Sequence, residues 1–228
     1  MFKQIYIILD AIARRDKLRL ASANGEFSEV IFANGVRGGN ENRVKLHLQA
    51  NWPNIEKHLL AQLTFDLTLD RDTSLDDTKT ATDEGDGGVP DVDKVNMTVT
   101  TFQLGIIAKR AGIIKIFMQK ALEIPDEDER IGLIKKLLGT KTFLKFPKDA
   151  KLYDKDDRSL DGMNAFHLGA RYSPSALKQI FDHLNENGLM EDNDIKELLE
   201  ETENQLHQTP LHIAAAHPSG GGYSIGAR

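Results

Sequence analysis

The chain has 228 residues, 40% of them apolar and 28% charged, with a formal net charge of −6 and a pI near 5.7. That length can bury one core or two small ones, and the composition argues against global disorder. The acidic balance excludes a partner that is mainly a polyphosphate backbone, which needs clustered Lys and Arg, and a cysteine count of zero excludes disulfide frameworks, thiolate zinc sites and thiol nucleophiles.

No stretch approaches the roughly 20 apolar residues of a membrane span, and the N-terminal apolar run at 5–9 is cut short by Asp10, Arg14 and Arg15, too short for a signal-peptide core. The expected address is cytosolic or nuclear, so the sequon Asn96-Met97-Thr98 is read as an ordinary tripeptide. Residues 2–20 place Ile5, Ile8, Leu9, Ile12 and Ala13 at helical spacing and predict one amphipathic helix. Asn24-Gly25 and residues 34–40 read as turns flanking a short apolar piece at 27–33. A second helix is expected near Asn51-Trp52-Pro53, with Ile55, Leu59, Leu60 and Leu63 as its buried stripe, which makes residues 1–65 a helical region.

Residues 66–93 carry ten Asp or Glu against Arg71 and Lys79, with Gly85, Gly87, Gly88 and Pro90. Too little apolar surface is present there to offset the entropy of ordering, so the stretch reads as a flexible acidic insert. Its acids do not follow the spacing that gathers oxygens around one calcium ion. Beyond it the pattern is helical: residues 102–109, a break at Ala111-Gly112, residues 113–122, and then a helix opened by Pro125 and four acids and stopped at Gly139, with Ile131, Ile134, Leu137 and Leu138 inward. No segment is read as alternating at period two, so the expected class is all-α.

Two segments carry most information. Thr209-Pro210-Leu211-His212-Ile213-Ala214-Ala215 puts a hydroxyl cap and a first-turn proline ahead of two apolar contacts, Leu211 and Ile213, and two residues small enough for close helix approach, Ala214 and Ala215. Residues 161–171 repeat that logic more loosely: Gly162 precedes the helix, Asn164 caps it, His167 keeps its place and Gly169 stands where a small residue is needed. The helix that follows, 175–184, offers Leu177, Ile180, Phe181 and Leu184 as a stripe, and Asn187-Gly188 ends it. The first segment matches the T-P-L-H-x-A-A core of the ankyrin repeat, and the chain resembles that family. Residues 102–122 look like a degenerate copy lacking the motif Thr, Pro and His, and residues 5–32 like a degenerate capping repeat.

The resemblance implies stacked helix-turn-helix units over 94–217, with Gly162, Asn164, His167, Thr209, Pro210, Leu211, His212, Ala214 and Ala215 in structural roles. His167 and His212 lie 45 residues apart rather than about 33, which predicts an inserted helix at 194–203. Residues 218–228, Gly-rich where a second helix belongs, read as a flexible tail and suggest a fragment of a longer array.

The implied function is that of a protein-binding scaffold, a signalling adaptor or inhibitor rather than an enzyme, with no cofactor and no nucleic acid or membrane contact. Met163, Arg171, Tyr172, Gln208 and His217, flanking the fixed motif, are the candidate partner contacts. The alternative is the cytosolic regulatory segment of a larger channel or enzyme cut at residue 228. Three chemical readings are set aside. His207, His212 and His217 are spaced by five, not by the three or four that place ligands on one helix face. Gly220-Gly221-Gly222 lacks the Lys-Ser or Lys-Thr of a phosphate loop. Asp154, Asp156, Asp157 and Asp161 read as a charged turn rather than as metal ligands, and no Ser, His and Asp set has a nucleophile-elbow context.

Overall fold

The computed structural model describes residues 20–22, 27–52, 54–69, 93–145, 161–203 and 206–216. Its elements in chain order are β1 (Leu20–Ser22), α1 (Phe27–Gly38), α2 (Glu41–Ala50), α3 (Ile55–Leu59), β2 (Gln62–Leu69), β3 (Asp93–Thr100), α4 (Thr101–Ile107), α5 (Ala111–Leu122), α6 (Glu127–Gly139), β4 (Phe143–Lys145), α7 (Ala165–Tyr172), α8 (Pro174–Glu186), a 3-10 turn (Leu189–Glu191), α9 (Asn193–Glu200) and α10 (Pro210–Ala216). Among the described residues no helix is long and apolar enough to cross a membrane.

The helices pack in columns. α1 packs on α4, α4 on α7 and α7 on α10, while α2 packs on α5 and α5 on α8; within each unit α1 pairs with α2, α4 with α5 and α7 with α8. A third helix closes each unit and lies on the first helix of the next, α3 on α4, α6 on α7 and α9 on α10. Ion pairs run along this third column: Lys136 of α6 reaches Glu56 of α3 at 2.6 Å, and Lys135 reaches Asp194 at 2.6 Å and Asp192 at 3.0 Å. These pairs are solvent-exposed and fix orientation more than they add stability.

One small residue recurs where each hairpin is tightest. A Cβ on Gly105 would meet Ile114 Cδ1 at 3.0 Å, and one on Gly169 would meet Leu177 Cβ at 3.0 Å; on Gly35 the nearest atom would be Arg43 Cδ at 3.5 Å. The turns that follow are copies of each other. Asn40 N–H donates to Gly35 O at 3.0 Å and Arg110 N–H to Gly105 O at 2.9 Å, while Gly39 and Lys109 bond three residues back to Val36 O and Ile106 O. Both turn residues are left-handed, Gly39 at φ 74° and Lys109 at φ 59°.

The expected all-α class is corrected by a four-stranded antiparallel sheet in the order β1-β2-β3-β4. β2 and β3 form a long ladder from Gln62↔Thr100 to Leu69↔Asp93, and β4 pairs Phe143 to Lys145 with Thr98 to Asn96. Leu63, expected in a helical stripe, is a strand residue; with Phe65, Met97 and Val99 it turns one sheet face into the core, while Thr64 and Thr98 bond across the other at 3.2 Å. The acidic insert is correspondingly shorter at both ends, since β2 reaches Leu69 and β3 starts at Asp93. Its centre, residues 70–92, residues 2–19 of the expected N-terminal helix and the tail at 218–228 lie outside the described residues, while Leu20, the last residue of that expected helix, is in β1.

Other boundaries move for local reasons. Residues 34–38, expected as a turn, remain helical, because the single left-handed residue that ends α1 is Gly39. α3 begins at Ile55 and is only five residues long. The break before α5 falls at residues 108–110, whereas α6 opens on Asp126, whose side chain accepts from Glu129 N–H at 2.8 Å, and runs to Gly139 as expected. Gly188, at φ 69°, supplies the left-handed stop expected after α8.

The core is one cluster spanning all three columns, from Phe32 and Val36 through Phe102, Phe117 and Leu137 to Phe166, Ile180 and Ile213. Aromatic contacts run through it, with Phe32 and Phe117 centroids 6.0 Å apart across a unit boundary and Phe117 and Phe102 6.2 Å apart within one unit. Because Lys109 holds the backbone conformation that Gly39 takes at no steric cost, Lys109→Gly is expected to stabilise the protein by about 0.5–1 kcal/mol, read by urea unfolding; a loss of stability would show that the Lys109 side chain contributes more than its backbone costs.

Candidate functional site

The motif residues gather where the first-column helices begin. Asn164, at the start of α7, accepts on Oδ1 from Phe166 N–H at 3.0 Å and His167 N–H at 3.2 Å, while its amide donates to Leu198 O at 2.9 Å and Glu201 Oε2 at 3.2 Å. His167 folds back over this cap. Its Nδ1 lies 2.6 Å from Asn164 Oδ1 and 3.4 Å from the Asn164 N–H, and its Nε2 is 3.1 Å from the carbonyl of Gln208, immediately before the start of α10. Thus one side chain closes its own helix start and bonds to the next unit.

The sequence reading missed the same arrangement one unit earlier. Thr100 Oγ1 accepts from Gln103 N–H at 3.1 Å, Gln103 Oε1 accepts from Thr100 N–H at 2.8 Å, and Gln103 Nε2 donates to Thr140 O at 2.6 Å. Gln103 does in α4 what His167 does in α7. The signal was present as a capping-box spacing, Thr followed three residues later by Gln, but the copy had been started two residues late, at Phe102. In α10, Thr209 Oγ1 and His212 Nδ1 lie 2.8 Å apart, with His212 exposed.

The segment between α9 and α10 is held by Glu203, only 1% exposed. Its Oε1 accepts from Leu206 N–H at 2.6 Å and Gln208 N–H at 3.1 Å, and its own N–H donates to Gln208 O at 3.1 Å. Upstream, Gly162 at φ 77° donates to Thr142 O at 2.9 Å, and Met163 N–H donates to Thr142 Oγ1 at 3.1 Å, which ties the approach to β4 onto the α7 start.

The candidate partner contacts divide. Met163 is fully buried and so presents no side chain to a partner, against the exposure expected of it. Arg171 and Tyr172 are half-buried at the end of α7, with the Arg171 Cζ 5.5 Å from the Tyr172 ring centroid. The Tyr172 hydroxyl is buried without a hydrogen-bond partner among the described residues; burial pushes its pKa up, and the Arg171 guanidinium works the other way. Gln208 is half-exposed, its main chain committed to Glu203 and His167. His217 lies outside the described residues. Of the remaining motif residues, Pro210 is buried, and Leu211, Ala214 and Ala215 are exposed.

Large apolar side chains reach solvent elsewhere: Phe143 is 57% exposed on β4, Leu211 77% on α10 and Leu206 41% just before it. α4 is buried along its whole length, and α7 from Ala165 to Ala170. Among the described residues no three His, Asp or Glu are grouped as a metal ion would require. No family model matches the chain, and no similar curated protein or solved structure was found.

Burial pushes the His167 pKa below the usual histidine value, outweighing the Gln208 carbonyl and the fields of Glu203 and Glu201, which act in the opposite direction. A folded-state pKa below the unfolded one means that the unfolded chain takes protons first, so stability is whole above about pH 6.5 and falls as pH drops through that value. Since Gln103 already performs this job in α4, His167→Gln is expected to cost under about 1 kcal/mol at pH 7.5 and to flatten the acid loss. His167→Ala, which leaves the Gln208 carbonyl and the cap unpaired, should cost about 2–3 kcal/mol; urea titrations at pH 7.5 and 5.5 compare the three proteins. Tyr172→Phe should raise stability by about 1 kcal/mol, because it removes a buried hydroxyl that has no hydrogen bond of good geometry among the described residues; a destabilised variant would mean that the Arg171 guanidinium bonds it in solution.

Proposed function

We propose that this chain is a protein-binding scaffold of the ankyrin-like kind, its stacked units presenting a fixed surface to another protein rather than processing a substrate. The observation that supports this most is the recurrence of one helix-start device, Thr100 with Gln103, Asn164 with His167 and Thr209 with His212, at the head of successive first-column helices that pack on each other. The stack departs from a two-helix repeat in its third column, which accounts for the long spacing between motifs.

The surface this reading favours is not the face of α4 and α7, whose side chains are buried. It comprises solvent-facing Phe143 on β4 and Leu206 and Leu211 at α10, with half-exposed Arg171 and Gln208 as candidate polar contacts. Arg is among the side chains that most often supply binding energy when a partner desolvates them, and exposed large apolar side chains mark surfaces that a partner can cover. Phe143 and Leu211 can be changed without touching the core.

The test captures binding proteins from cytosol on the full chain, identifies them by mass spectrometry, and measures the affinity of a specific one for variants. Phe143→Asp or Leu211→Asp is expected to weaken that affinity at least tenfold with helix content and unfolding midpoint unchanged. Unchanged affinity in both, or turnover of a metabolite with no protein retained, would overturn the proposal.

A further inference from the structure

Three rings from three consecutive helices meet in the first unit. Phe32 of α1, 2% exposed, stacks on His47 of α2 with centroids 4.3 Å apart and planes inclined by 17°. His58 of α3, 6% exposed, stands edge-on, 4.8 Å from His47 and 6.1 Å from Phe32. His47 Nε2 and His58 Nδ1 face each other at 3.3 Å.

A hydrogen bond between two imidazoles uses one proton: one nitrogen donates and the other keeps its lone pair. One added proton leaves this bond in place. A second sets N–H against N–H and brings two like charges together in a partly buried site, so the pair titrates in two coupled steps rather than as separate residues. We propose that His47 and His58 form a proton-sensitive latch that holds α3 against the α1–α2 hairpin while at most one ring is charged and releases it when both are.

α3 is the element such a latch can move. Five residues are too few to be helical without tertiary support, and that support comes from Ile55, His58 and Leu59, the buried residues of α3. Losing His58 therefore removes one anchor of three. The disturbance has a route inward, because Phe32 also contacts Phe117 of α5.

The charged groups on the surrounding helices are few. Among the described side chains they are Arg37 on α1, Glu41, Arg43 and Lys45 on α2, Glu56 and Lys57 on α3, and Lys115 and Lys120 on α5, with none on α4. Glu56 is paired with Lys136 and Lys120 with Glu123. Burial first and His58 second push His47 below the ordinary histidine value, and no carboxylate pulls it back. At His47 the unfolded chain therefore takes up its proton before the folded one, and the latch weakens as pH falls below about 6.5.

Trp52, the one tryptophan of the chain, lies between α2 and α3 and is 38% exposed, which makes it a built-in reporter of this seam. The experiment follows Trp52 emission and the imidazole C–H proton NMR signals of the full chain from pH 8 to pH 5. The expected result is a shift of emission to longer wavelength with a midpoint below 6.5, linked imidazole titrations for His47 and His58, loss of the emission shift in His47→Gln and in His58→Gln, and its retention in His167→Gln. An identical transition in both latch variants, no transition in the parent, or two independent imidazole titrations near 6.5 would overturn the proposal. Should His58→Gln fail to fold, the more exposed His47→Gln and the parent NMR titration decide between the same outcomes.

Discussion

The structure rests on a hydrogen-bonded device repeated at helix starts. A residue at the third helical position returns to the cap and extends its far end to a carbonyl beyond its own unit: Gln103 to Thr140, His167 to Gln208. Apolar burial drives these helices together but is non-directional, so it cannot by itself fix how far one hairpin slides along the next. The device can, because a displacement of about 1 Å would strand a buried donor and acceptor, at a cost of about 1–3 kcal/mol for each group left unpaired. Register is thereby set at the end where the sheet feeds into α4 and the segment after β4 feeds into α7.

The third column follows from the same constraint. Once the first helices are tied at their starts, the chain leaving each second helix has to cross back over the stack before the next first helix can begin. α6 and α9 make that crossing as amphipathic helices, Leu133, Ile134, Leu137 and Leu138 in one and Ile195 in the other turned inward. The close approach of Gly139 to Leu198, whose Cδ2 would lie 3.1 Å from an added Cβ, marks where these two helices meet. Insertion here costs little loop-closure entropy, since the inserted segment buries surface of its own.

Much of this was legible from residue pattern where the cause is local. Asn164 as cap, Gly188 as left-handed stop and the acid-rich start and Gly139 stop of α6 are short-range effects, visible as residue types at fixed offsets. The sheet was equally visible and was overlooked: residues 62–69 read Gln, Leu, Thr, Phe, Asp, Leu, Thr, Leu, and residues 94–100 alternate in the same way, a period of two over strand length. Leu59, Leu60 and Leu63 also fit a helical stripe, and the acids from Asp66 onward give the second half of the strand the composition of a polar loop. Gln103 was hidden by an expectation of histidine, although the amide offers the same acceptor toward the cap and donor toward the next unit. Met163 could not be placed by pattern, because its turn is tied to Thr142, distant in sequence and close only after folding, and its side chain joins the core cluster there. The His47–His58 pair is of the same kind, two residues on different helices whose meeting no single-helix periodicity encodes.

The added column and the sheet change which side chains the stack leaves in solvent. In a two-layer array the first helices keep one flank in water, and side-chain variation along that flank can set specificity without disturbing the core. Here α4 is buried throughout and α7 along most of its length, so substitutions there act on stability first. Positions that reach solvent lie on the outer helix faces, on β4 and on the open side of α10, and Leu46, Phe143 and Leu211 are the large apolar side chains most exposed there. The stack built this way has one continuous core across its three columns, and it leaves large apolar side chains in solvent on the strand that follows one third-column helix and on the helix that follows the next.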